Sequence, residues 1–210
     1  MKPAGVILAG GRSARMGGGD KFLLDLAGKP ILQHVINRLA PQVSTLAINA
    51  NGDALRLAKF DLPVIADSIG GFAGPLAGVL AGMDWAADNG FKQIVTVAAD
   101  TPFFPKHLVV ALRLGLEADQ TLLAMATTPD NIRPFNRHPT FGLWDVSLRE
   151  DLRQALHDGL RKVVQWTNPQ GCANVLFDGF EFDPFFNVNT PKDLAIARSE
   201  MGQFESIENG

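Results

Sequence analysis

Short, wholly apolar runs alternate along the chain with stretches whose apolar positions recur at helical spacing. Residues 5–9 (GVILA) form an unbroken apolar run closed by Gly10 and Gly11. Residues 45–50 (TLAINA), 62–66 (LPVIA), 93–98 (QIVTVA) and 121–126 (TLLAMA) read as further strands. Strands of a parallel sheet are buried on both faces, so they are apolar throughout rather than alternating. Between the first two runs, Ile31, Leu32, Val35, Ile36 and Leu39 keep helical spacing behind Pro30, a residue suited to a first helical position. Residues 74–86, rich in small side chains, and 105–116 read as the next helices. Short apolar strands separated by helices predict an α/β fold with a mainly parallel sheet.

The second half is less regular. Residues 127–137 are polar and rich in proline, as expected of a loop, and 140–144 of a strand. Residues 147–157 read as a helix, with Ser147 as its N-cap and Glu150 at the capping-box position. A short helix is expected over 160–166 and a strand within 175–186. The segment Asn187-Val188-Asn189-Thr190-Pro191 then opens a last helix, with Thr190 as cap and Pro191 at its first position. The 210 residues suit one domain of about 150 residues with a small appendage. We expect a single domain over 1–200 and a polar, frayed tail over 201–210. A chain of this size buries roughly 70% of its unfolded surface.

Composition removes several classes of function. With 46% hydrophobic residues the chain has the means to build a core, which excludes disorder as its default state. Lys and Arg number 19 against 22 Asp and Glu, a net charge of −3. That balance excludes a general binder of nucleic acid or of membrane surfaces. A single cysteine, Cys172, excludes an internal disulfide and an all-cysteine zinc site, and suits a reducing compartment. The N-terminal run is too short for a signal peptide, and no stretch reaches the 18 or so apolar residues of a membrane span. A cytoplasmic location is expected.

Candidate chemistry concentrates in Leu8-Ala9-Gly10-Gly11-Arg12-Ser13-Ala14-Arg15-Met16-Gly17-Gly18-Gly19-Asp20-Lys21. The segment follows the first predicted strand, and open parallel sheets bind ligands outside their strand C-termini. Glycines let the backbone approach a ligand and turn its N–H groups toward an anion. Arg12, Arg15 and Lys21 add cations suited to phosphate oxygens, while Asp20 is expected to position the loop. The P-loop pattern fails, because Gly17 to Gly19 are followed by Asp20 and Lys21. The dinucleotide fingerprint Gly-x-Gly-x-x-Gly is absent as well. Asp100, just past the fourth strand, is either a metal-holding carboxylate or a cap for the following helix. Asn187 and Asn189, two apart, face the same way on an extended chain. His34 reads as a helix-surface residue and Cys172 as a bystander.

The opening L-A-G-G-x-S-x-R-M-G pattern followed by Lys21 resembles the nucleotidyltransferases built on a Rossmann-like sheet. Gly28-Lys29-Pro30, Asn49-Ala50-Asn51, Asp67-Ser68 with Gly74-Pro75-Leu76-Ala77-Gly78, Asp100-Thr101-Pro102, Arg137-His138-Pro139-Thr140 and Asn187-Val188-Asn189-Thr190-Pro191 narrow the likeness. In this order they resemble the MobA family of molybdenum cofactor guanylyltransferases, over roughly residues 4 to 196. The resemblance implies a three-layer, Rossmann-like nucleotidyltransferase fold with a mostly parallel central sheet. It implies transfer of GMP from GTP to Mo-molybdopterin, with Mg²⁺ as cofactor and pyrophosphate as leaving group. Arg15, Lys21 and Asp100 would carry catalysis, with Asp100 as the metal ligand. Leu8, Ala9, Gly10, Gly11, Lys21, Asn49, Asp67, Asp100, Asn187 and Asn189 would contact nucleotide, metal or pterin phosphate. Asn49 and Asp67 fall on the guanosine side, and His138 on the pterin side or in a structural role. Other cofactor-biosynthesis proteins and target molybdoenzymes are the further partners implied. Two rivals stand beside this reading: a related cytidylyltransferase, and a non-catalytic nucleotide-binding adaptor for molybdoenzymes.

Overall fold

Strand β1 (Ala4–Leu8) lies near the middle of a seven-stranded sheet because every one of its side chains finds apolar company on one face or the other. The computed structural model describes residues 2–10, 20–70 and 74–208, the last six by backbone alone. The glycine-rich loop from Gly11 to Gly19, with Arg12 and Arg15, lies outside the described residues. Beside β1 stand β4 (Thr45–Asn49) and β6 (Gln93–Ala98), both parallel to it, and β5 (Val64–Ile65) extends the sheet parallel to β4. On the other side lie β8 (Asn136–Asp145), β7 (Leu123–Thr128) and β9 (Cys172–Leu176), giving the order β5-β4-β1-β6-β8-β7-β9. Only β8 runs against its neighbours. It follows β7 through the polar loop over 129–135, with no crossover helix to reverse the chain, so it must return antiparallel. The Asp130 carboxylate shapes that loop by accepting the N–H groups of Ile132 and Arg133 at 2.8 and 2.7 Å.

Successive residues of a strand face opposite ways, and the core divides accordingly. Ile7, Ile48 and Val97 pack with Val35 and Leu39 of α1 (Ile31–Leu39) and Leu108 and Leu112 of α3 (Leu108–Asp119). Val6, Leu8 and Ile94 pack instead with Leu76, Leu80 and Met83 of α2 (Pro75–Asp88). The same cluster takes in Leu156 of α4 (Arg149–His157) and Trp166 of α5 (Val163–Gln170). The layers are therefore helix, sheet, helix. A third cluster joins the small hairpin β2 (Asp25–Leu26) and β3 (Lys29–Pro30) to α6 (Pro191–Glu208) through Leu26, Ile31, Phe103, Val188 and Leu194.

Three local expectations differ from the structure. Ser147 does not cap α4: the Asp145 carboxylate accepts both its N–H and its hydroxyl, at 2.9 and 2.6 Å, and caps a 3₁₀ turn instead. Glu150 accordingly faces Arg149 and Arg153 rather than a backbone N–H. The last expected strand starts at Cys172, three residues before the window given for it. The backbone of α6 also continues to Glu208, through residues expected to fray. Thr190 does cap α6, in a reciprocal box: its hydroxyl accepts the Asp193 N–H while the Asp193 carboxylate accepts the Thr190 N–H.

Glycine at 78 is a steric requirement. A Cβ there would lie 2.3 Å from Asn49 Oδ1 and 2.9 Å from Leu8 Cδ2. One turn on, a Cβ at Gly82 would stand 2.9 Å from Val6 Cγ2. The two glycines let α2 press against β1 and β4 and leave room for the buried Asn49 side chain. Gly78→Ala is expected to lower the unfolding free energy by about 1–3 kcal/mol, read by denaturant titration. An unchanged midpoint would show that Asn49 does not need the space.

Candidate functional site

Four parallel strands end at one edge, and backbone bonds continue the sheet beyond their last residues. The Ala9 N–H donates to Asn49 O at 2.8 Å, Ala99 to Leu8 O at 3.1 Å, and Ala50 to Ile65 O at 3.0 Å. The ends of β1, β4, β5 and β6 are thereby held as one surface, where an open α/β sheet receives its ligand. Leu8, Ala9, Gly10, Asp20, Lys21, Phe22, Ala99 and Asp100 line a small cleft on it.

The charged centre of the cleft joins residues far apart in sequence. Lys21 Nζ lies 2.5 Å from Asp100 Oδ2 and donates to Asn189 Oδ1 at 2.5 Å. Lys21 and Asp100 are 26% and 15% exposed, so the pair faces the cleft without being sealed from it. The Thr101 hydroxyl reaches Asn187 Oδ1 and, at 3.2 Å, Asp100 Oδ1. Its one proton serves one of them at a time. The Val188 N–H donates to Asp100 O at 2.9 Å and pins the Asn187–Asn189 segment against the end of β6. The Asn189 N–H in turn donates to Asp193 in the first turn of α6. Lys21, Asp100, Asn187 and Asn189, all chosen from the sequence, are thus brought together.

A second group sits over β4 and β5. Asp67 Oδ1 accepts from Asn49 Nδ2 at 3.0 Å, and Oδ2 accepts from Asn51 Nδ2 at 2.7 Å. The Asp67 N–H donates back to Asn51 Oδ1 at 3.0 Å. Asn49 is 3% exposed and its amide also donates to Ile65 O, so it holds Asp67 from beneath. The next residue, Ser68, donates to Asp84 Oδ2 of α2 at 2.6 Å, and Asp84 pairs with Arg153 of α4 at 2.6 Å. This chain of contacts anchors the Asp67 loop to two helices.

A larger, polar cleft of about 310 Å³ opens beside the charged centre. Arg137, His138, Thr140, Asp183, Phe185 and Asn187 line it, so Asn187 belongs to both regions. The His138 ring stacks on Phe185, centroids 4.2 Å apart, with Nε2 2.9 Å from the Thr128 hydroxyl. Burial of the ring holds His138 below the ordinary imidazole range, against a smaller upward pull from Asp183. Arg137 Nε donates to Asn174 Oδ1 at 3.1 Å. Elsewhere, His34 Nε2 lies 2.7 Å from Leu26 O and ties α1 to the β2–β3 hairpin. Burial pushes the Cys172 thiol up to about 11, away from reactivity near neutral pH.

No group of three or more His, Cys, Asp or Glu side chains gathers among the described residues. The oxygens near the charged centre come from one carboxylate, two amides and a hydroxyl. That hard donor set suits Mg²⁺, which is bound through one or two carboxylates together with substrate phosphates. Residues that went unmarked in the sequence as site members include Asn51, Thr101, Phe185 and Arg56. Asn51 and Thr101 lie inside the quoted motifs Asn49-Ala50-Asn51 and Asp100-Thr101-Pro102. Arg56, on the 3₁₀ helix Ala54–Phe60, carries no sequence signal.

A mostly parallel sheet with a cation, a carboxylate and amides at its strand ends defines a nucleotide-binding α/β domain of the nucleotidyltransferase type. Residues 5–171 match the family described as the MobA-like NTP transferase domain. The chain is 48% identical to a molybdenum cofactor guanylyltransferase from Bradyrhizobium sp. strain ORS 278, over 92% of this chain and 90% of that one. It is 50% identical to one from Rhodopseudomonas palustris strain BisB5, over 91% and 90%. The chain belongs to the MobA-like NTP transferases and, within them, to the molybdenum cofactor guanylyltransferase family. Its fold is shared with molybdopterin-guanine dinucleotide biosynthesis protein A from Archaeoglobus fulgidus, at a TM-score of 0.72 and 22% identity, covering 95% and 99% of the two chains. It is shared too with 4-diphosphocytidyl-2C-methyl-D-erythritol synthase from Anaerococcus prevotii, at 0.73 and 13%, covering 95% of each. No helix among the described residues is long and apolar enough to cross a membrane.

His138 makes a pH-dependent contribution to stability. Its folded value lies below its unfolded value near 6.5, so the folded state resists the proton. The stability is fully present above that value and is lost as pH falls through the lower folded one. Unfolding midpoints of the native chain should therefore fall more steeply between pH 7 and pH 5 than those of His138→Gln. Equal slopes would remove His138 as the cause.

Proposed function

We propose that the chain transfers GMP from GTP to the terminal phosphate of Mo-molybdopterin, releasing pyrophosphate, in the cytoplasm and with Mg²⁺ as cofactor. The observation that carries this reading is the bridge from Lys21 to Asp100 and Asn189 at the strand ends, in a chain of this family. In the transfer, an oxygen of the pterin phosphate forms a bond to the α-phosphorus of GTP. The bond from that phosphorus to the bridging oxygen of the β-phosphate breaks, and pyrophosphate carries the electron pair away. Such transfers depend on in-line positioning and neutralisation of charge more than on a covalent nucleophile. The phosphate nucleophile is already ionised at pH 7, so no side chain is assigned as general base.

Each residue then has a physical task. Lys21 places a cation where charge develops on the triphosphate. The backbone of Leu8, Ala9 and Gly10 lines the approach to it, and Gly11 and Arg15 are assigned to the same phosphate side by family likeness. Asp100, with the amide oxygens of Asn187 and Asn189 nearby, would hold Mg²⁺, which neutralises triphosphate oxygens when bound. Asp67 is the nucleoside-side acceptor. A carboxylate suits guanine N–H donors or ribose hydroxyls, and Asn49 and Asn51 fix its orientation. The cleft of Arg137, His138 and Phe185 is the acceptor side, since Asn187 connects it to Asp100 through Thr101. The product then passes to molybdoenzymes, directly or through other cofactor-biosynthesis proteins.

Asp100→Ala should abolish turnover while leaving the unfolding midpoint within a few degrees of the native value. Near-normal Mg²⁺-dependent pyrophosphate release in that variant would sink the assignment. Lys21→Ala should weaken GTP binding about tenfold or more by calorimetric titration. Parallel titrations with GTP and CTP decide between guanylyl and cytidylyl transfer. Pyrophosphate release in the presence of GTP, Mg²⁺ and molybdopterin separates an enzyme from an adaptor.

A further inference from the structure

Arg56 spends each of its nitrogens on a different partner. Nε donates to Asp20 Oδ2 at 2.5 Å, one terminal nitrogen donates to Asp53 O at 2.6 Å, and the other to Asn51 O at 2.9 Å. Asn51 is the residue that clasps Asp67 on the nucleoside side. Asp20 immediately precedes Lys21 and lines the same cleft as Lys21 and Asp100. One guanidinium thus spans the two halves of the site.

The charges in the cleft say what this contact is for. Among the described lining residues, Asp20 and Asp100 bring two negative charges and Lys21 one positive. Without a partner, the Asp20 carboxylate sets a negative charge beside Lys21, where a triphosphate must come. An unpaired Asp20 carboxylate would repel the phosphates and compete for its neighbour Lys21. Arg56 neutralises that carboxylate. Its pairing with Asp20 also keeps Lys21 on Asp100 and Asn189. Stability alone gives the contact little reason to exist. Arg56 and Asp20 are 27% and 24% exposed, and Asn51 and Asp53 are exposed. Pairs at this exposure contribute little to folding, and water can replace Arg56 at the two carbonyls.

We propose that Arg56 is a positioning residue for the nucleotide: by holding and neutralising Asp20 it keeps the phosphate cleft open to an anion and leaves Lys21 to the site. The proposal rests on the reading that a nucleoside triphosphate occupies this cleft, and it makes Asp20 the residue through which Arg56 acts.

The test is calorimetric titration of guanosine, GMP and GTP into the native chain, Arg56→Ala, Asp20→Asn and the double variant. Arg56→Ala should bind GTP about tenfold more weakly, GMP less so, and guanosine within about twofold of the native chain, since repulsion grows with phosphate charge. Asp20→Asn in the Arg56→Ala background should restore most of the GTP affinity, because the repelling charge is gone. A merely structural role for Arg56 predicts the opposite: guanosine and GTP weaken alike, and the second substitution adds to the loss. Either of those results overturns the proposal. Running cytidine, CMP and CTP alongside separates the two readings. A preference for the cytosine series corrects the base assignment, while the dependence on phosphate number still decides for or against Arg56.

Discussion

A single ammonium group closes the site. Lys21 closes the glycine-rich segment near the start of the chain, yet its Nζ touches Asp100 and Asn189, residues drawn from the middle and the end of the sequence. Three loops must meet within hydrogen-bonding distance for that to happen. The sheet makes them meet. β1 and β6 are parallel neighbours in register, so their C-terminal ends coincide. The Val188 N–H then ties the third loop to the Asp100 carbonyl. The contact pairs a half-exposed cation with a carboxylate, and its importance lies in placement rather than in the energy of the pair.

The rest of the site is arranged around that point by graded burial. Asn49, enclosed beneath the loops, acts as a fixed support because burial leaves its amide no water to bond. Asp67 lies above it, oriented from two sides and further out. The glycines of α2 permit this layering: any larger residue at 78 would occupy the volume that Asn49 needs. Ser68, Asp84 and Arg153 extend the support to the helical layer. The Asn49–Asp67 side is therefore held by packing, by amide–carboxylate hydrogen bonds and by the Asp84–Arg153 pair. The Lys21–Asp100 side is held by charge, and Arg56 joins the two.

Much of this was readable from residue order. The apolar runs that became β1, β4 and β6 are continuous because parallel strands are covered on both faces. Lys21 stood out as a cation of the glycine-rich segment, and Asp100, Asn187 and Asn189 because each follows a strand or precedes a helix. The errors are local, and the one at Ser147 has an identifiable cause. Ser147 was expected to cap α4, but Asp145, with a charged acceptor two residues earlier, takes its N–H and hydroxyl. A pattern of spacing cannot rank two acceptors that compete for one donor. The antiparallel direction of β8 is likewise set by the short return from β7, which composition does not express.

The sequence by itself determined the class of fold, the sheet edge where the candidate site residues gather and their chemical types, because periodicity and strand-end position are properties of the chain read in order. It also carried the family likeness, through motifs spread over nearly its whole length. The tertiary structure decided the partners. Thr101 with Asn187, Asn51 with Asp67, His138 stacked on Phe185, and Arg56 on Asp20 are contacts across 86, 16, 47 and 36 positions. Contacts of that kind depend on which loops a folded sheet sets side by side, and side-chain reach and burial then select among the neighbours. Arg56 is the clearest case: an ordinary basic residue in sequence, it becomes part of the site only because the fold lays its 3₁₀ helix beside Asp20.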